Sequence, residues 1–213
     1  MYNSKRRNNY LFNEMNKIQT ILLLAVVCVF MHIDTAKGQD VAIKTNLLYD
    51  ATRTVNAGIE VGLAPRWTID LSGNYNAWWA NEKTRTQWRH YLVQPEVRYW
   101  FCDRFSGHFI GLHGLGGKYN FSNINNNLKF LGTDFSPLSE YRYQGWYAGA
   151  GIGYGYQFVL GQHWNLELEI GAGYVYTEYD KFECPECGRH LEKQVPYNYW
   201  GITKAAIGIV YLF

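Results

Sequence analysis

The feature that most limits the possible folds is a two-residue alternation in the segment QGWYAGAGIGYGYQFVL, residues 144–160. Glycine occupies positions 145, 149, 151, 153 and 155. The even positions carry apolar or aromatic groups, namely Trp146, Ala148, Ala150, Ile152, Tyr154, Tyr156 and Phe158. A period of two places successive side chains on opposite faces of a β-strand. We therefore expect a strand with one apolar face and one nearly empty face.

The same alternation recurs after residue 40 and predicts about eight strands. We expect them at 41–49, 55–63, 67–76, 88–101, 107–119, 144–160, 164–176 and at the C-terminal end of the chain. The links after the second, fourth and sixth strands are tight. Residues 120–142 and 179–198 are polar and are expected to form long outer loops. Short turns on one rim and long loops on the other are typical of an antiparallel up-and-down transmembrane β-barrel of the outer-membrane type.

Parity along the strands places a set of charged residues on the face opposite the apolar one, which in such a barrel is the lumen. These residues are Lys44, Glu60, Asp70, Glu96, Arg98, Glu167, Glu169 and Lys204. Because an eight-stranded barrel has room only for side chains, we expect these groups to pair in a hydrogen-bonded plug. The glycine face of 144–160 would leave space for bulky or charged groups from opposite strands.

Aromatic residues form 17% of the chain and charged residues only 18%, below the roughly 25% charged residues of soluble domains. Tryptophans fall near expected strand ends, where interfacial girdles belong. They are Trp67, Trp78, Trp79, Trp88, Trp146, Trp164 and Trp200. A soluble β-sandwich or a lipocalin-like barrel, with its apolar face inward, would show a similar alternation. The aromatic excess and the unequal rims favour the membrane barrel.

The N-terminal segment has the order of a secretory signal peptide. Basic residues up to Lys17 precede an apolar run, Thr20–Met31, and small residues follow before Gln39. That run is about 12 residues long, shorter than the ~20 that a spanning helix needs. We therefore predict a cleaved signal peptide, 1–38, with the cut near Gly38–Gln39, and an outer-membrane barrel domain, 39–213.

Two other interpretations of this segment stay open. Cys28 could be acylated as in a lipoprotein, although Val27 precedes it where that motif needs a small residue. The segment could also remain as an uncleaved anchor, and Met15 offers an alternative start. A chain cut after residue 38 carries 15 basic and 16 acidic residues, a balance that does not attract nucleic acid. The expected partners are outer-membrane lipid and the outer-membrane insertion machinery.

The C-terminal sequence IGIVYLF matches the pattern that the outer-membrane insertion machinery reads. Its elements are Gly208, the aromatic Tyr211 and the terminal Phe213, while Ile207 replaces the usual polar residue. An aromatic strand end of this kind can pair with an open strand edge of the machinery. A strand that ends in Phe for no such reason is the alternative.

A cysteine pair lies in the last long link, in the segment ECPECGRH. We expect a disulfide between Cys184 and Cys187, because exported proteins are oxidised. Free thiols are one alternative. A metal site with His190 is another, since Cys-x₂-Cys beside a histidine resembles half of a zinc site. The second Cys-x₂-Cys of such a site is missing, so we predict no metal and no other cofactor.

Catalytic candidates are few. Lipid A deacylases carry a Ser-His-acid site on a small barrel, but Ser72, His108 and His113 lack the close His-x-Ser spacing of that class. Glu167 and Glu169 share a strand face and suit acid–base chemistry only if a substrate can enter. We therefore expect no enzyme, with an envelope lipid-modifying enzyme as the alternative. A solute pore is disfavoured by the narrow lumen.

Five segments carry a wider resemblance: KTNLLYDAT (44–52), NAGIEVGL (56–63), LVQPEVRYWFC (92–102), GHFIGLHGLGG (107–117) and YRYQGW (141–146). Together with YDKFECPECG they resemble an uncharacterised family of Bacteroides-type outer-membrane proteins, domain of unknown function 3575. The resemblance covers nearly all of the chain after the signal peptide. It implies an outer-membrane location. Because the family's genes often accompany fimbrial or surface-assembly genes, it also implies an anchoring component with a surface partner. It carries over no catalytic residues.

Overall fold

The computed structural model of the chain describes residues 40–77, 79–81, 86–123, 129–130, 133–134, 141–183 and 188–213. The predicted signal peptide, Trp78 and the pair Cys184 and Cys187 lie outside these residues. Within them, no helix has both the length and the apolar character needed to cross a membrane.

Eight antiparallel strands build the fold. They are β1 (Val41–Asn46), β2 (Val55–Ala64), β3 (Trp67–Asn76), β4 (Thr86–Trp100), β5 (Gly107–Ser122), β6 (Arg142–Val159), β7 (Trp164–Phe182) and β8 (His190–Leu212). A short helix, α1 (Leu47–Ala51), follows β1. Three further strands of two or three residues lie in the links, at Trp79–Asn81, Lys129–Phe130 and Thr133–Asp134.

The eight strands form a closed ring. Each strand pairs antiparallel with the next along the chain, and β1 pairs with β8 from Ala42↔Leu212 to Asn46↔Gly208. Closure satisfies the backbone N–H and C=O groups that an open sheet edge would leave unpaired. The prediction of an all-β, antiparallel up-and-down barrel of about eight strands is confirmed.

The links divide into two kinds, and each kind lies at one rim. The turn-side rim carries the tight links, Pro65–Arg66, 101–106 and 160–163, together with Asp40 and Phe213. The loop-side rim carries α1 and the links 77–85, 123–141 and 183–189. The barrel wall is uneven at the loop-side rim, because β1 has 6 residues whereas β7 has 19 and β8 has 23.

Two predictions about this rim were wrong. The first strand, expected to reach residue 49, ends at Asn46. The Asn46 side chain accepts a hydrogen bond from Leu48 N at 3.1 Å and so caps the N-terminus of α1. The loop expected at 179–198 is mostly strand, since β7 and β8 remain paired as far as Phe182↔His190. Its Tyr, Phe and Val residues favour strand pairing although the segment is polar overall.

Candidate functional site: a charged network and the cavity beside it

The interior of the barrel is filled in layers from the turn-side rim to the loop-side rim. An apolar layer closes the turn-side end and consists of Ala42, Trp100, Phe105, Phe109, Val210 and Leu212. A charged layer follows, and a cavity occupies the loop-side part. The first two layers plug the lumen. The charged layer and the cavity beside it are the candidate functional regions.

The structure brings together the charged residues that parity assigns to the lumen. Each has an exposed fraction of 8% or less. They are Lys44, Glu60, Asp70, Glu96, Arg98, Glu167, Glu169 and Lys204, and we refer to them as the ion-pair network. They come from β1, β2, β3, β4, β7 and β8, so most of the wall contributes to one cluster.

Arg98 lies at the centre of the ion-pair network. Its Nε donates to Glu96 Oε2 at 2.7 Å, and its Nη1 donates to Glu60 Oε2 at 2.9 Å. Nη2 donates to Glu169 Oε2 at 2.7 Å, and both Nη atoms donate to the carboxylate of Glu167, at 2.7 and 3.0 Å. The fork of N–H donors on one guanidinium thus holds four carboxylates. Glu167 and Glu169 are parts of this network and are held by the same cation.

The two lysines bind carboxylates on either side of the central arginine. Lys44 Nζ lies 2.7 Å from Glu60 Oε2 and 3.0 Å from Asp70 Oδ1. Lys204 Nζ lies 2.5 Å from Glu96 Oε2. A buried charge is tolerated only when it is paired and hydrogen-bonded, and every carboxylate of the network has at least one cationic partner.

Side chains of the apolar layer hold the ion-pair network from the turn side. Trp100 Nε1 donates to Thr68 Oγ1 at 2.9 Å, and Thr68 Oγ1 donates to Glu60 Oε1 at 2.5 Å. The guanidinium carbon of Arg98 lies 4.3 Å from the centre of the Phe109 ring, within the range of a cation–π contact. The network is therefore fixed in position by the packed layer beneath it.

The glycine face of β6 is the space that these groups occupy. A Cβ atom added at Gly155 would lie 2.2 Å from the Phe109 ring, and one at Gly153 would lie 2.7 Å from Glu169 Oε1. On β5, a Cβ atom at Gly111 would lie 1.9 Å from Glu96 Oε1. The empty face seen in the sequence is therefore filled by an aromatic ring and carboxylates from other strands.

The residues considered for a deacylase-like site lie apart from one another. Ser72 Oγ donates weakly to the Gln94 carbonyl at 3.4 Å. His108 lies on the outer face, 2.6 Å from the Tyr154 hydroxyl. His113 is buried in the lumen. The structure does not assemble Ser72 with either histidine.

His113 has a different hydroxyl partner. Its Nε2 lies 2.8 Å from Thr203 Oγ1, and its Nδ1 lies 4.0 Å from Glu96 Oε1. Thr203 sits at an irregularity of β8, because Lys204 pairs with Gly171 while Ile202 pairs with Ala172. A β-bulge of this kind often turns a side chain toward a functional site.

A cavity of about 850 Å³ lies on the loop side of the ion-pair network. Its wall is rich in aromatic side chains: Trp88 from β4, Tyr119 and Phe121 from β5, Tyr147 from β6 and Tyr199 from β8. Thr203 and Lys204 also line it, where the cavity meets the network, and α1 contributes Leu48 and Tyr49. Burial raises the pKa of the Tyr49 phenol above its ordinary value, so this hydroxyl stays uncharged at neutral pH.

The cavity was not predicted, and Trp88 had been assigned to an interfacial girdle. Extending the parity of the charged residues would have found it. On β4 the lumen-facing series Arg98 and Glu96 continues, two residues at a time, through Gln94 to Leu92, His90 and Trp88. The last three residues of this series line the cavity.

The C-terminal residues lie at the junction of the first and last strands. Gly208 pairs with Asn46, and Phe213 N donates to the Val41 carbonyl at 3.0 Å. The rings of Tyr211 and Phe213 meet edge to face with centres 5.0 Å apart. Gly208 and Tyr211 of the predicted insertion pattern thus belong to the strand that closes the ring, and Phe213 follows it directly.

Cys102 and His190 lie at opposite rims. Cys102 is exposed and free in the turn-side link 101–106. His190 Nε2 lies 3.3 Å from Asp180 Oδ1 at the loop-side rim, and its ring stacks on Phe182 with centres 4.5 Å apart. In the part of the chain that the structure describes, no group of three His, Cys, Asp or Glu residues has a metal-binding arrangement.

Comparison with known proteins gives a match to a protein family. The model of a family described as "Protein of unknown function (DUF3575)" matches residues 21–213. No curated protein and no solved structure matches the chain. The match spans the whole barrel, and the family description names no activity.

Proposed function

The chain belongs to the DUF3575 family, and from that premise we propose that it is an outer-membrane β-barrel with a plugged lumen. In this proposal it is a structural or anchoring component of the cell envelope, and its loop-side rim contacts a surface partner. The family membership agrees with the resemblance seen in the sequence. The structural or anchoring role rests on features of the barrel itself.

The observation that carries the proposal is the distribution of side chains across the wall. Leu112 and Ile152 on the outer face have exposed fractions of 64% and 67%, whereas Arg98 and Glu60 in the lumen have 0%. A soluble protein buries apolar groups and seldom exposes a large contiguous apolar patch. Acyl chains of lipid are the surroundings in which this outer face is stable.

The closed ring supports the same placement. Backbone groups that face hydrocarbon must be bonded within the protein, and among β structures only a closed barrel does this. Trp67 and Trp164, next to the turn-side links, are half exposed on the outer wall. Aromatic residues at this position are typical of the girdles where a barrel meets the membrane surface.

The plugged interior favours a structural role over transport. Trp100 and Phe109 are fully buried at the turn-side end, and the ion-pair network fills the middle. A solute would have to displace both layers to cross. The proposal therefore predicts no single-channel conductance in a planar bilayer.

The loop-side rim is the part of the wall that extends furthest. A strand tilted by about 45° needs about 10 residues to cross a bilayer, whereas β8 has 23 residues and β7 has 19. Their paired ends, joined by link 183–189, extend beyond the length that lipid requires. This extension and link 123–141 are the surfaces that we assign to a surface or fimbrial protein partner.

Purification without detergent tests the membrane proposal. We expect the chain without residues 1–38 to remain folded and monodisperse only in detergent or lipid. A folded, monodisperse barrel in plain buffer would overturn the proposal.

The anchoring role is tested by crosslinking in intact cells, with link 183–189 replaced by a short Gly-Ser linker. A crosslinked partner that persists unchanged in this variant, and in one lacking link 123–141, would contradict the assignment to the loop-side rim.

A lipid-modifying enzyme is the second candidate, and one contact favours it. Thr203, His113 and Glu96 follow the order hydroxyl, imidazole, carboxylate of an activated nucleophile, and Thr203 lines an apolar cavity. Under the structural proposal, Thr203→Ala and His113→Ala leave the lipid A composition of the cells unchanged. A shift in lipid A acylation with either variant would favour the enzyme.

A further inference from the structure

The loop-side cavity has the size and the position of a ligand site. Its volume of about 850 Å³ lies within the ~300–1,000 Å³ typical of small-molecule sites, which often occupy the mouths of β-barrels. A barrel of eight strands can hold one small ligand in this way. The ion-pair network closes the cavity on the turn side, so a ligand would stop there.

The residues that line the cavity favour a ligand whose main part is apolar. Three tyrosines of the wall have hydroxyls that already bond to the wall: Tyr119 to Thr177 Oγ1 at 3.0 Å, Tyr147 to a backbone carbonyl at 3.3 Å and Tyr199 to another at 3.5 Å. Their hydrogen-bonding capacity is partly used, and their rings remain as contact surface. Gly117 allows this arrangement, because a Cβ atom there would lie 2.8 Å from the Tyr147 hydroxyl.

The charges around the cavity favour an uncharged ligand. Among the described residues that line the cavity, none is acidic, and Lys204 contributes an ammonium group. Lys204 Nζ is already held by Glu96 at 2.5 Å and Glu169 at 3.1 Å. A ligand anion would face a network in which five carboxylates outnumber three cations. A ligand cation would find no carboxylate among the described lining residues to pair with.

One polar group is placed to orient such a ligand. Thr203 Oγ1 lies 2.8 Å from His113 Nε2. Whichever of these two atoms donates, the hydroxyl has two lone pairs and this contact uses at most one of them. The hydroxyl oxygen of Thr203 keeps lone-pair capacity that a ligand O–H can use.

We propose that the loop-side cavity binds one small, uncharged, apolar molecule whose hydroxyl group donates a hydrogen bond to Thr203. This site goes beyond the anchoring role and does not depend on it, because the cavity lies inside the barrel in any surroundings. The apolar body packs on the aromatic wall, and the hydroxyl lies at the boundary with the ion-pair network.

Equilibrium dialysis with two uncharged alcohols tests the site: 2-naphthol as the aromatic probe and 1-decanol as the acyl probe. The full barrel is placed in nanodiscs, or in buffer if it proves soluble, and binding to empty nanodiscs is subtracted. We expect saturable binding that approaches one molecule per chain for at least one probe, and the preferred probe tells whether the natural body is aromatic or acyl. Absence of a saturable component for both probes would overturn the proposal.

Neighbouring positions on β4 supply a matched pair of variants. Leu92 faces the cavity and Val93 faces outward with an exposed fraction of 47%. Leu92→Trp fills the cavity and should weaken binding at least tenfold, whereas Val93→Trp should leave it within twofold. Val175→Phe on β7 is a second cavity-filling variant in case Leu92→Trp does not fold, as judged by circular dichroism. Equal binding by a folded cavity-filling variant and the unchanged chain would overturn the location.

The hydrogen bond to Thr203 has its own test. A neutral hydrogen bond contributes about 1 kcal/mol, which is roughly fivefold in affinity. We expect 2-methoxynaphthalene, which lacks the O–H, to bind about fivefold more weakly than 2-naphthol, and Thr203→Val to abolish that difference. A difference that persists in the folded Thr203→Val variant would contradict the role of this hydroxyl.

Discussion

Arg98 and Glu167 face each other across the barrel interior in a two-pronged contact, with Nη1 to Oε2 at 2.7 Å and Nη2 to Oε1 at 3.0 Å. Arg98 belongs to β4 and Glu167 to β7, two strands that β5 and β6 separate along the ring. A planar guanidinium and a carboxylate match in this geometry, which fixes direction as well as distance. The contact therefore ties opposite parts of the wall together.

Replacement of Arg98 by Met should strongly destabilise the barrel. Breaking a buried ion pair by removing one partner costs about 3–5 kcal/mol, because the remaining charge has no compensation. Here four carboxylates would lose a partner at once. Urea unfolding of the refolded barrel, followed by tryptophan fluorescence, measures the loss.

Lys193→Met is the control for that measurement, because Lys193 is an exposed cation on the extended part of β8. A surface change of this kind should stay within about 0.5 kcal/mol. Equal unfolding midpoints for Arg98→Met and Lys193→Met would show that the ion-pair network does not stabilise the fold.

Gly155→Ala tests the packing of the apolar layer against β6. The added methyl would lie 2.2 Å from the Phe109 ring, and overpacking of this kind costs about 1–3 kcal/mol. Gly73→Ala is the matched control, because no atom lies within 4 Å of its added Cβ. We expect the control to be neutral or slightly stabilising. If thermal unfolding ranks the two variants in the opposite order, the packing is different from that described.

The eight lumen-facing charges could be read from the sequence, whereas the cavity could not be read from polarity alone. Glu96 and Arg98 alternate with Val97, so their face follows from charge. Leu92 and Val93 are both apolar, so only the parity carried over from Glu96 and Arg98 shows that Leu92 is interior. The helix α1 was missed because Leu47 and Tyr49 continue the face of Val41 and Ile43, although Leu48 interrupts the alternation and the Asn46 side chain caps a helix. The pairing of β7 with β8 beyond Thr177 was missed because polar residues there resemble a loop.

A charge on the outer face tests the surroundings of the barrel. Leu112 pairs with Val97, between Glu96 and Arg98, so it lies at the level of the ion-pair network. Arg at the middle of a bilayer costs about 2–4 kcal/mol, and about 0–1 near its surface. We expect Leu112→Arg to reduce the folding free energy in phosphatidylcholine vesicles by the larger amount. Val55→Arg, at the loop-side end of β2, should lose the smaller amount, and equal small losses for both would argue against a lipid-facing wall.

Cys102 offers a test of which rim faces the cell exterior. It is exposed in a turn-side link, and in the proposed orientation this rim faces the periplasm. With Cys184 and Cys187 replaced by Ser, a thiol reagent that cannot cross the outer membrane should label Cys102 only after the membrane is permeabilised. Lys193→Cys at the opposite rim should be labelled in intact cells. Labelling of Cys102 in intact cells would reverse the orientation.

The bond from Phe213 N to the Val41 carbonyl joins the residue after β8 to the first strand. Contacts of such large sequence separation are the slowest to form, because the intervening chain must first be ordered. Assembly therefore cannot finish until the end of β8 has been synthesised and exported. A chain cut before the residues that pair with β1 would remain an unsealed sheet, exposed to proteases and to pairing with other unfinished copies.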